Sequence, residues 1–122
     1  MALVLKLKTD ADDLLAYEIY GKISAKDHKE ITNELEQAIK NRKKIITLVQ
    51  VDQGVFPGLR IFWKDLKFIL GHLSDIIRFV AIGDKAWERW WIKIVGFMTP
   101  IRTKFFDISQ KEDAWNWVQD KS

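Results

Sequence analysis

The sequence predicts an α/β domain in which four helices cover a five-stranded mixed, mostly parallel sheet, in the order β-β-α-β-α-β-α-β-α. Short apolar segments rich in Val and Ile alternate with segments of helical periodicity, which is typical of parallel strands covered by helices on both faces. Only a short polar turn separates the first two strands, which favours an antiparallel hairpin. At 122 residues the chain is predicted to form one domain over residues 1–122.

The first two strands and the first helix are predicted from alternation and capping. Leu3–Thr9 alternates apolar with polar residues and carries lysines, which suits an edge strand. Leu14–Tyr20 alternates in the same way and is the second predicted strand. Ser24 is expected to cap the first helix, whose apolar stripe begins at His28. His28 is therefore expected at the edge of the core.

The remaining elements are predicted from β-branched segments, helical periodicity and the residues that bound them. Pro100 ends the third helix, whereas Asp84 and Ser109 are expected to cap the third and fourth helices. The elements predicted after the first helix are a strand at Ile45–Val51, a helix at Leu59–Leu73, a strand at Ile76–Ile82, a helix at Ala86–Met98, a strand at Thr103–Phe106 and a last helix after Ser109.

Composition excludes several kinds of chemistry and partner. The chain has no Cys, which excludes disulfides and cysteine nucleophiles, and its two His are too few for a typical zinc centre. Lys and Arg number 20 against 17 Asp and Glu. The dense basic run Lys40–Lys44 ends a predicted helix, where cations complement the helix dipole. We therefore expect no nucleic-acid partner.

The sequence also offers little for catalysis or for a cofactor. Asp52, Asp84 and Asp107 each follow a predicted strand, where three carboxylates could hold a magnesium ion. Turn formation and helix capping explain each of them more simply, so no metal and no cofactor are expected. No glycine-rich phosphate-binding motif is present, and no Ser is placed as a nucleophile beside a base. The chain is expected not to be an enzyme.

Four segments, taken together in chain order, carry a family resemblance. They are Gly21–Ser24 with Asp27, Trp63–Lys67, Val80–Asp84 followed by Trp87, and Ala114 with Trp117–Val118. With these segments the chain resembles the SpoIIAA-like family, which is related to the STAS domains of anti-sigma-factor antagonists. The resemblance implies a STAS-type fold, also likened to the lipid-binding SEC14 and CRAL-TRIO domains, and no established catalytic residues.

The chain departs from the STAS pattern at the start of the second helix. An anti-sigma-factor antagonist carries a phosphorylatable Ser just before a Gly-Leu pair, whereas here Gly58 and Leu59 follow Phe56 and Pro57. Neither Phe nor Pro has a hydroxyl, so we expect the phosphoserine switch to be absent at this position.

The predicted third helix carries more aromatic surface than one side of a small sheet needs. At about 100° per residue, its apolar side chains sweep an arc of roughly 160°. One interpretation is a large aromatic contribution to the core. The other is an apolar pocket between the sheet and the second and third helices. For that pocket the predicted ligand-binding residues are Trp63, Trp87, Trp90, Trp91 and Met98.

The predicted second helix is apolar on two sides. Its inward stripe is predicted to consist of Leu59, Phe62, Trp63, Leu66, Ile69, Leu70 and Leu73. Ile61 and Phe68 fall on the opposite side, beside Lys64, while Asp65 is expected to form a solvated ion pair. Apolar residues on a charged face indicate a contact, either inside the domain or with a partner or membrane. The residues predicted for such a surface are Phe56, Ile61, Lys64, Lys67 and Phe68, together with the loop Gly54–Gly58.

These observations favour a non-catalytic binding module that holds an apolar or lipid-like ligand between the sheet and the second and third helices. The alternative is a STAS-type protein-interaction module without the phosphoserine switch, acting on a protein partner or as a homodimer. No secretory signal begins the chain, so a cytoplasmic location is expected, with membrane contact at most peripheral, on the inner face.

Overall fold

The computed structural model describes residues 3–7, 9, 13–42, 44–52, 55–56 and 58–119, and within them it contains five strands and four α-helices. The strands are β1 (Leu3–Leu7), β2 (Leu14–Tyr20), β3 (Ile45–Asp52), β4 (Ile76–Gly83) and β5 (Arg102–Asp107). The helices are α1 (Ala25–Arg42), α2 (Leu59–Leu70), α3 (Ala86–Met98) and α4 (Lys111–Gln119), with one turn of 3-10 helix at Ile108–Gln110.

The strands form one sheet whose spatial order is the chain order, β1-β2-β3-β4-β5. β1 runs antiparallel to β2, and the other three pairings are parallel. This arrangement confirms the predicted mixed sheet. β3 is its central strand, and Ile45 and Leu48 of β3 are fully buried because helices cover both faces.

Three helices pack on one face of the sheet. Alternate residues of the sheet and the inner faces of α1, α2 and α3 form one core cluster on this side. Its buried members are Leu15, Tyr17, Leu35, Ile45, Ile69, Ile76, Val95 and Ile101. All three parallel crossovers therefore bring their helices to the same side, and the helices lie next to one another above the strands.

The fourth helix packs on the opposite face. There the buried core residues are Leu14, Ala16, Leu48, Val80, Ile82, Phe106, Ala114 and Val118. β2 shows how alternation divides one strand between the two cores, because successive side chains point to opposite faces. Leu15 and Tyr17 face the three helices, whereas Leu14 and Ala16 face α4, which agrees with the predicted alternation.

The helix ends agree only in part with the predicted caps. Ser24 caps α1 as predicted, with its Oγ accepting a hydrogen bond from Asp27 N at 3.1 Å. The cap predicted at Ser109 was wrong. Asp107 accepts the Ser109 N–H at 3.0 Å instead, because a 3-10 turn precedes α4 and places Ser109 inside that turn.

One helix boundary and one further cap differ from the prediction. α2 ends at Leu70 and not at Leu73, because from Gly71 onward the backbone tightens: the Gly71 N–H also bonds to the Phe68 carbonyl and the His72 N–H bonds to that of Ile69, each three residues back. α3 begins at Ala86, and Lys85 is at the N-cap position where the side chain of Asp84 was expected to act. Among the described residues, no helix combines the length and apolar character that crossing a membrane requires.

Candidate functional site

The second helix lies with a different side toward the sheet from the one predicted. Ile61, predicted to face outward, is only 8% exposed, whereas Trp63 is 61% exposed and Leu59 is 70% exposed. At about 100° per residue, the helix is rotated by roughly 70° from the predicted orientation. Phe62, Leu66 and Ile69 are buried as predicted. The edges of the predicted stripe were wrong because both sides of α2 are apolar, and hydrophobic periodicity alone cannot choose between them.

A polar contact accompanies this orientation. Asp65 of α2 faces inward, where its Oδ1 lies 3.1 Å from His28 Nε2 and its Oδ2 accepts a hydrogen bond from Trp91 Nε1 at 3.0 Å. These three side chains connect α1, α2 and α3. The predicted solvated ion pair of Asp65 was therefore wrong, while His28 is buried as expected. A buried polar network of this kind favours one arrangement of the three helices.

A pocket lies between the sheet and these three helices, toward the carboxyl ends of β2, β3 and β4. Its volume is about 130 Å³, and apolar side chains make up nearly all of its wall. The lining residues are Ile19, Ile23, His28, Ile31, Val49, Val51, Ile61, Phe62, Asp65, Phe79, Ala81, Trp87, Glu88, Trp91 and Ile92. The carboxyl end of parallel strands is the usual position for ligand sites in α/β domains.

A cluster of aromatic rings borders the pocket, and three of its members, Phe62, Trp87 and Trp91, line it. Phe62 is at their centre, stacked on Trp91 with ring centroids 4.4 Å apart and tilted against Trp87 and Trp90 at 5.8 and 5.9 Å. Phe56 meets Phe62 edge-on at 5.0 Å. Stacked and edge-on pairs each stabilise by about 0.5–1.5 kcal/mol beyond their buried area, so this cluster joins α2 firmly to α3.

Glu88 places a carboxyl group in this apolar wall. The residue is 3% exposed and belongs to the first turn of α3, where its Oε1 accepts the Lys85 N–H at 2.9 Å. Its Oε2 is buried without a hydrogen-bond partner. Burial raises the pKa of Glu88 to about 7, although the hydrogen bond from Lys85 offsets part of this effect.

A glycine of the sheet makes room for this carboxyl group. Gly83 is the last residue of β4, and a Cβ added there would overlap the carboxylate of Glu88. The backbone of β4 and the first turn of α3 therefore hold Glu88 in one position. Any side chain larger than hydrogen at Gly83 would displace it.

The structure divides the five predicted ligand residues into two groups. Trp87 and Trp91 line the pocket. Trp63, Trp90 and Met98 do not, since they project from the outer sides of α2 and α3 and are about half exposed or more. Assigning them to the pocket was wrong because the apolar residues of α3 occupy more of its circumference than the sheet and α2 cover. Some of them therefore remain exposed.

The predicted partner surface also divides. Phe56, Lys64 and Lys67 are exposed as expected. Ile61 instead lines the pocket, and Phe68 is half-buried against the core with its ring 4.7 Å from that of His72. Gly54 and Pro57 of the predicted loop lie outside the described residues.

The arrangement can hold an apolar molecule, and it has few groups for other chemistry. Among the described residues, no three His, Asp or Glu side chains are grouped so that they could hold a metal ion. In this wall Asp65 and His28 already bond to one another, and both oxygens of Asp65 are used. Glu88 was missed by the sequence analysis. The signal for it was a carboxylate four residues before Ile92 and seven before Val95, on the buried side of α3.

The mixed sheet, with three helices on one face and one on the other, defines a STAS-type α/β domain, a fold that supports a regulatory or interaction module. The chain belongs to the SpoIIAA-like family, whose family model matches residues 14–119. This family is typically non-catalytic.

A solved structure extends the comparison over nearly the whole chain. It is an uncharacterised protein of the DUF3478 family with a SpoIIAA-like fold, from Shewanella loihica PV-4. The two chains are 28% identical with a TM-score of 0.70, and the match covers 96% of this chain and 93% of the other. A search of curated proteins found no match.

Proposed function

We propose that the protein is a non-catalytic binding module that takes an apolar small molecule into the pocket beneath α2 and α3. The observation that supports this proposal is a space of about 130 Å³ with a nearly apolar wall, at the carboxyl ends of the parallel strands. A dry cavity of about 150 Å³ lined by Leu, Ile and Phe binds benzene. The pocket thus suits one ring or a short chain. A full acyl chain would require α2 and α3 to separate.

The first test is mass spectrometry of the purified protein, native and after solvent extraction, with an unrelated protein from the same host as control. A stoichiometric apolar molecule supports the proposal. The second test uses benzene as the probe and the indole N–H resonances of Trp87 and Trp91 as the readout, because both side chains line the pocket. Saturable shifts confined to the pocket are expected.

A matched pair of variants identifies the binding site. Ala81 is buried and lines the pocket, so Ala81→Leu fills it and should abolish benzene binding. Ala86 is exposed at the start of α3, so Ala86→Leu adds the same atoms outside and should bind benzene as the parent does. Equal benzene binding by both variants, or a clean mass with no saturable shifts, contradicts the proposal.

A second candidate function rests on the outer face of α2 and α3, which is apolar and cationic. Its exposed apolar residues, here called the α2–α3 outer face, are Leu59, Trp63, Leu70, Trp90, Phe97 and Met98. The exposed charged residues on the two helices are Arg60, Lys64, Lys67, Arg89 and Lys93, all of them cations. Asp65 and Glu88, the acidic residues of these helices, both face inward.

An anionic membrane surface is the partner that this chemistry fits best, because Trp and Leu insert at the lipid interface while cations meet lipid phosphates. Binding to vesicles of phosphatidylserine and phosphatidylcholine should exceed binding to phosphatidylcholine alone and weaken with salt. Trp63→Ala with Phe97→Ala should reduce it about tenfold or more. Leu5→Ala, which removes an exposed Leu from β1, should not. Salt-independent or equal binding contradicts the membrane candidate, and concentration-dependent sizing of the parent would indicate self-association through this face instead.

A further inference from the structure

The unpaired oxygen of Glu88 is the feature of the pocket that an apolar ligand alone does not explain. Among the described residues, two buried side-chain polar atoms lack a hydrogen-bond partner, Glu88 Oε2 and Thr47 Oγ1. Of the two residues, Glu88 lines the pocket. Leaving a buried carboxyl oxygen unsatisfied is unfavourable, because the oxygen has lost its hydrogen bonds to water and gains none from the protein. A ligand that supplies the missing hydrogen bond recovers part of that cost.

The other carboxylate oxygens of the pocket wall already accept hydrogen bonds from the protein. Asp65 Oδ1 and Oδ2 bond to His28 and Trp91, and Glu88 Oε1 is held by the Lys85 backbone. Among the carboxylate oxygens at the described pocket wall, Glu88 Oε2 is therefore the one that is buried without a hydrogen-bond partner. Gly83 and the Lys85 N–H hold the carboxyl group in place, so a ligand group would meet it at a fixed point.

We propose, resting on the pocket function above, that the occupant is an apolar alcohol, with its ring or short chain among the aromatic residues and its hydroxyl bonded to Glu88 Oε2. A hydroxyl both donates and accepts a hydrogen bond, so it pairs with either protonation state of a carboxyl group. Since burial places the pKa of Glu88 near 7, both states are populated near neutral pH. A carboxylate ligand would be repelled by the ionised form. An ammonium group would lose its hydration on entering the pocket, and the apolar wall offers too few polar contacts to compensate for that loss.

Two probes of equal size isolate the contribution of the hydroxyl to binding. Cyclohexanol and methylcyclohexane each have seven heavy atoms and differ by a hydroxyl in place of a methyl group, and neither absorbs where Trp is excited. Binding of each is followed by Trp fluorescence and by indole N–H shifts of Trp87 and Trp91. The quantity to compare is the ratio of the two dissociation constants, since methylcyclohexane gains more from leaving water in any pocket.

Glu88→Met removes the carboxyl group and keeps an apolar side chain of similar length. It should weaken cyclohexanol binding roughly tenfold to a hundredfold, the loss expected for one hydrogen bond to a carboxyl group. Methylcyclohexane binding should stay within about threefold of the parent. Glu88→Gln, whose amide donates and accepts, should restore cyclohexanol binding to within a few-fold of the parent.

The outcomes separate this inference from the pocket function. If methylcyclohexane binds and Glu88→Met leaves the ratio of dissociation constants unchanged, the proposal of an alcohol is contradicted, while the proposal of an apolar binding pocket is supported. If neither probe binds the parent protein, the pocket function itself is wrong and the alcohol with it. A fall in cyclohexanol binding that Glu88→Gln restores supports the hydroxyl contact.

Discussion

The carboxyl group of Glu88 occupies the space where a side chain of Gly83 would begin. This contact links the end of β4 to the first turn of α3 and sets the position of a buried acid whose Oε2 has no partner. A carboxyl group so placed titrates near neutral pH because burial penalises its charged form. The relationship between these two residues can be tested by stability measurements alone.

Gly83→Ala should destabilise the protein by about 1–3 kcal/mol, because the new methyl group must displace the Glu88 carboxyl group. In a Glu88→Ala background the same substitution should cost much less, and the difference is measured by urea unfolding of the four proteins in a double-mutant cycle. Gly71→Ala is the matched control, since its Cβ would meet no atom closer than 3.5 Å. Additive effects of the two substitutions would contradict the contact.

The free energy of unfolding should depend on pH through Glu88. Its pKa is about 7 in the folded protein against an ordinary 4.5, so between these values the folded state holds a proton that the unfolded state has lost. Stability from this group is therefore complete below about pH 4.5 and is lost as pH rises through 7. Glu88→Gln should be close to the parent at pH 5 and more stable at pH 8, by up to about 3 kcal/mol. Urea titrations from pH 5 to 8 measure this difference, and a constant difference would mean that Glu88 titrates normally.

Two neighbouring residues on α2 test its orientation. Phe62 is buried among four aromatic rings, so Phe62→Ala should cost about 3–5 kcal/mol. Trp63→Ala removes a larger but exposed side chain and should cost less than about 1 kcal/mol. Thermal and urea unfolding compare the two. A loss for Trp63→Ala as large as that for Phe62→Ala would instead support the inward stripe that hydrophobic periodicity favoured.

Asp65 connects three helices, and its replacement should show how much that connection contributes to the stability of the protein. Asp65→Ala leaves the His28 and Trp91 donors without their acceptor and should cost about 2–4 kcal/mol. Asp65→Asn keeps one acceptor oxygen and should lose about half as much stability as Asp65→Ala. The Trp91 indole N–H resonance should lose its hydrogen-bonded shift in the Ala variant. Asp113→Ala, on the exposed side of the first turn of α4, is the control and should cost less than about 1 kcal/mol, the contribution of a carboxylate to the helix dipole.

The order of the elements along the chain, the antiparallel hairpin and the alternation of β2 could all be predicted from the sequence, because alternation is a local property that one strand carries by itself. The cap at Ser24 is equally local, since donor and acceptor lie three residues apart. A family resemblance across four segments pointed to the same fold, and the match over residues 14–119 confirmed it.

The side of α2 that faces the sheet was decided only by tertiary contacts. Ile61 and Trp63 are equally apolar in sequence, and Asp65 reads as a surface residue until His28 and Trp91 are brought to it from other helices. The spacing of Glu88 to Ile92 and Val95 places it on the buried side of α3, but the room for its carboxyl group depends on the absent side chain of Gly83. Local periodicity predicts where helices and strands form. Which side of an all-round apolar helix is buried, and so which residues form the pocket, depends on partners that are distant in the chain.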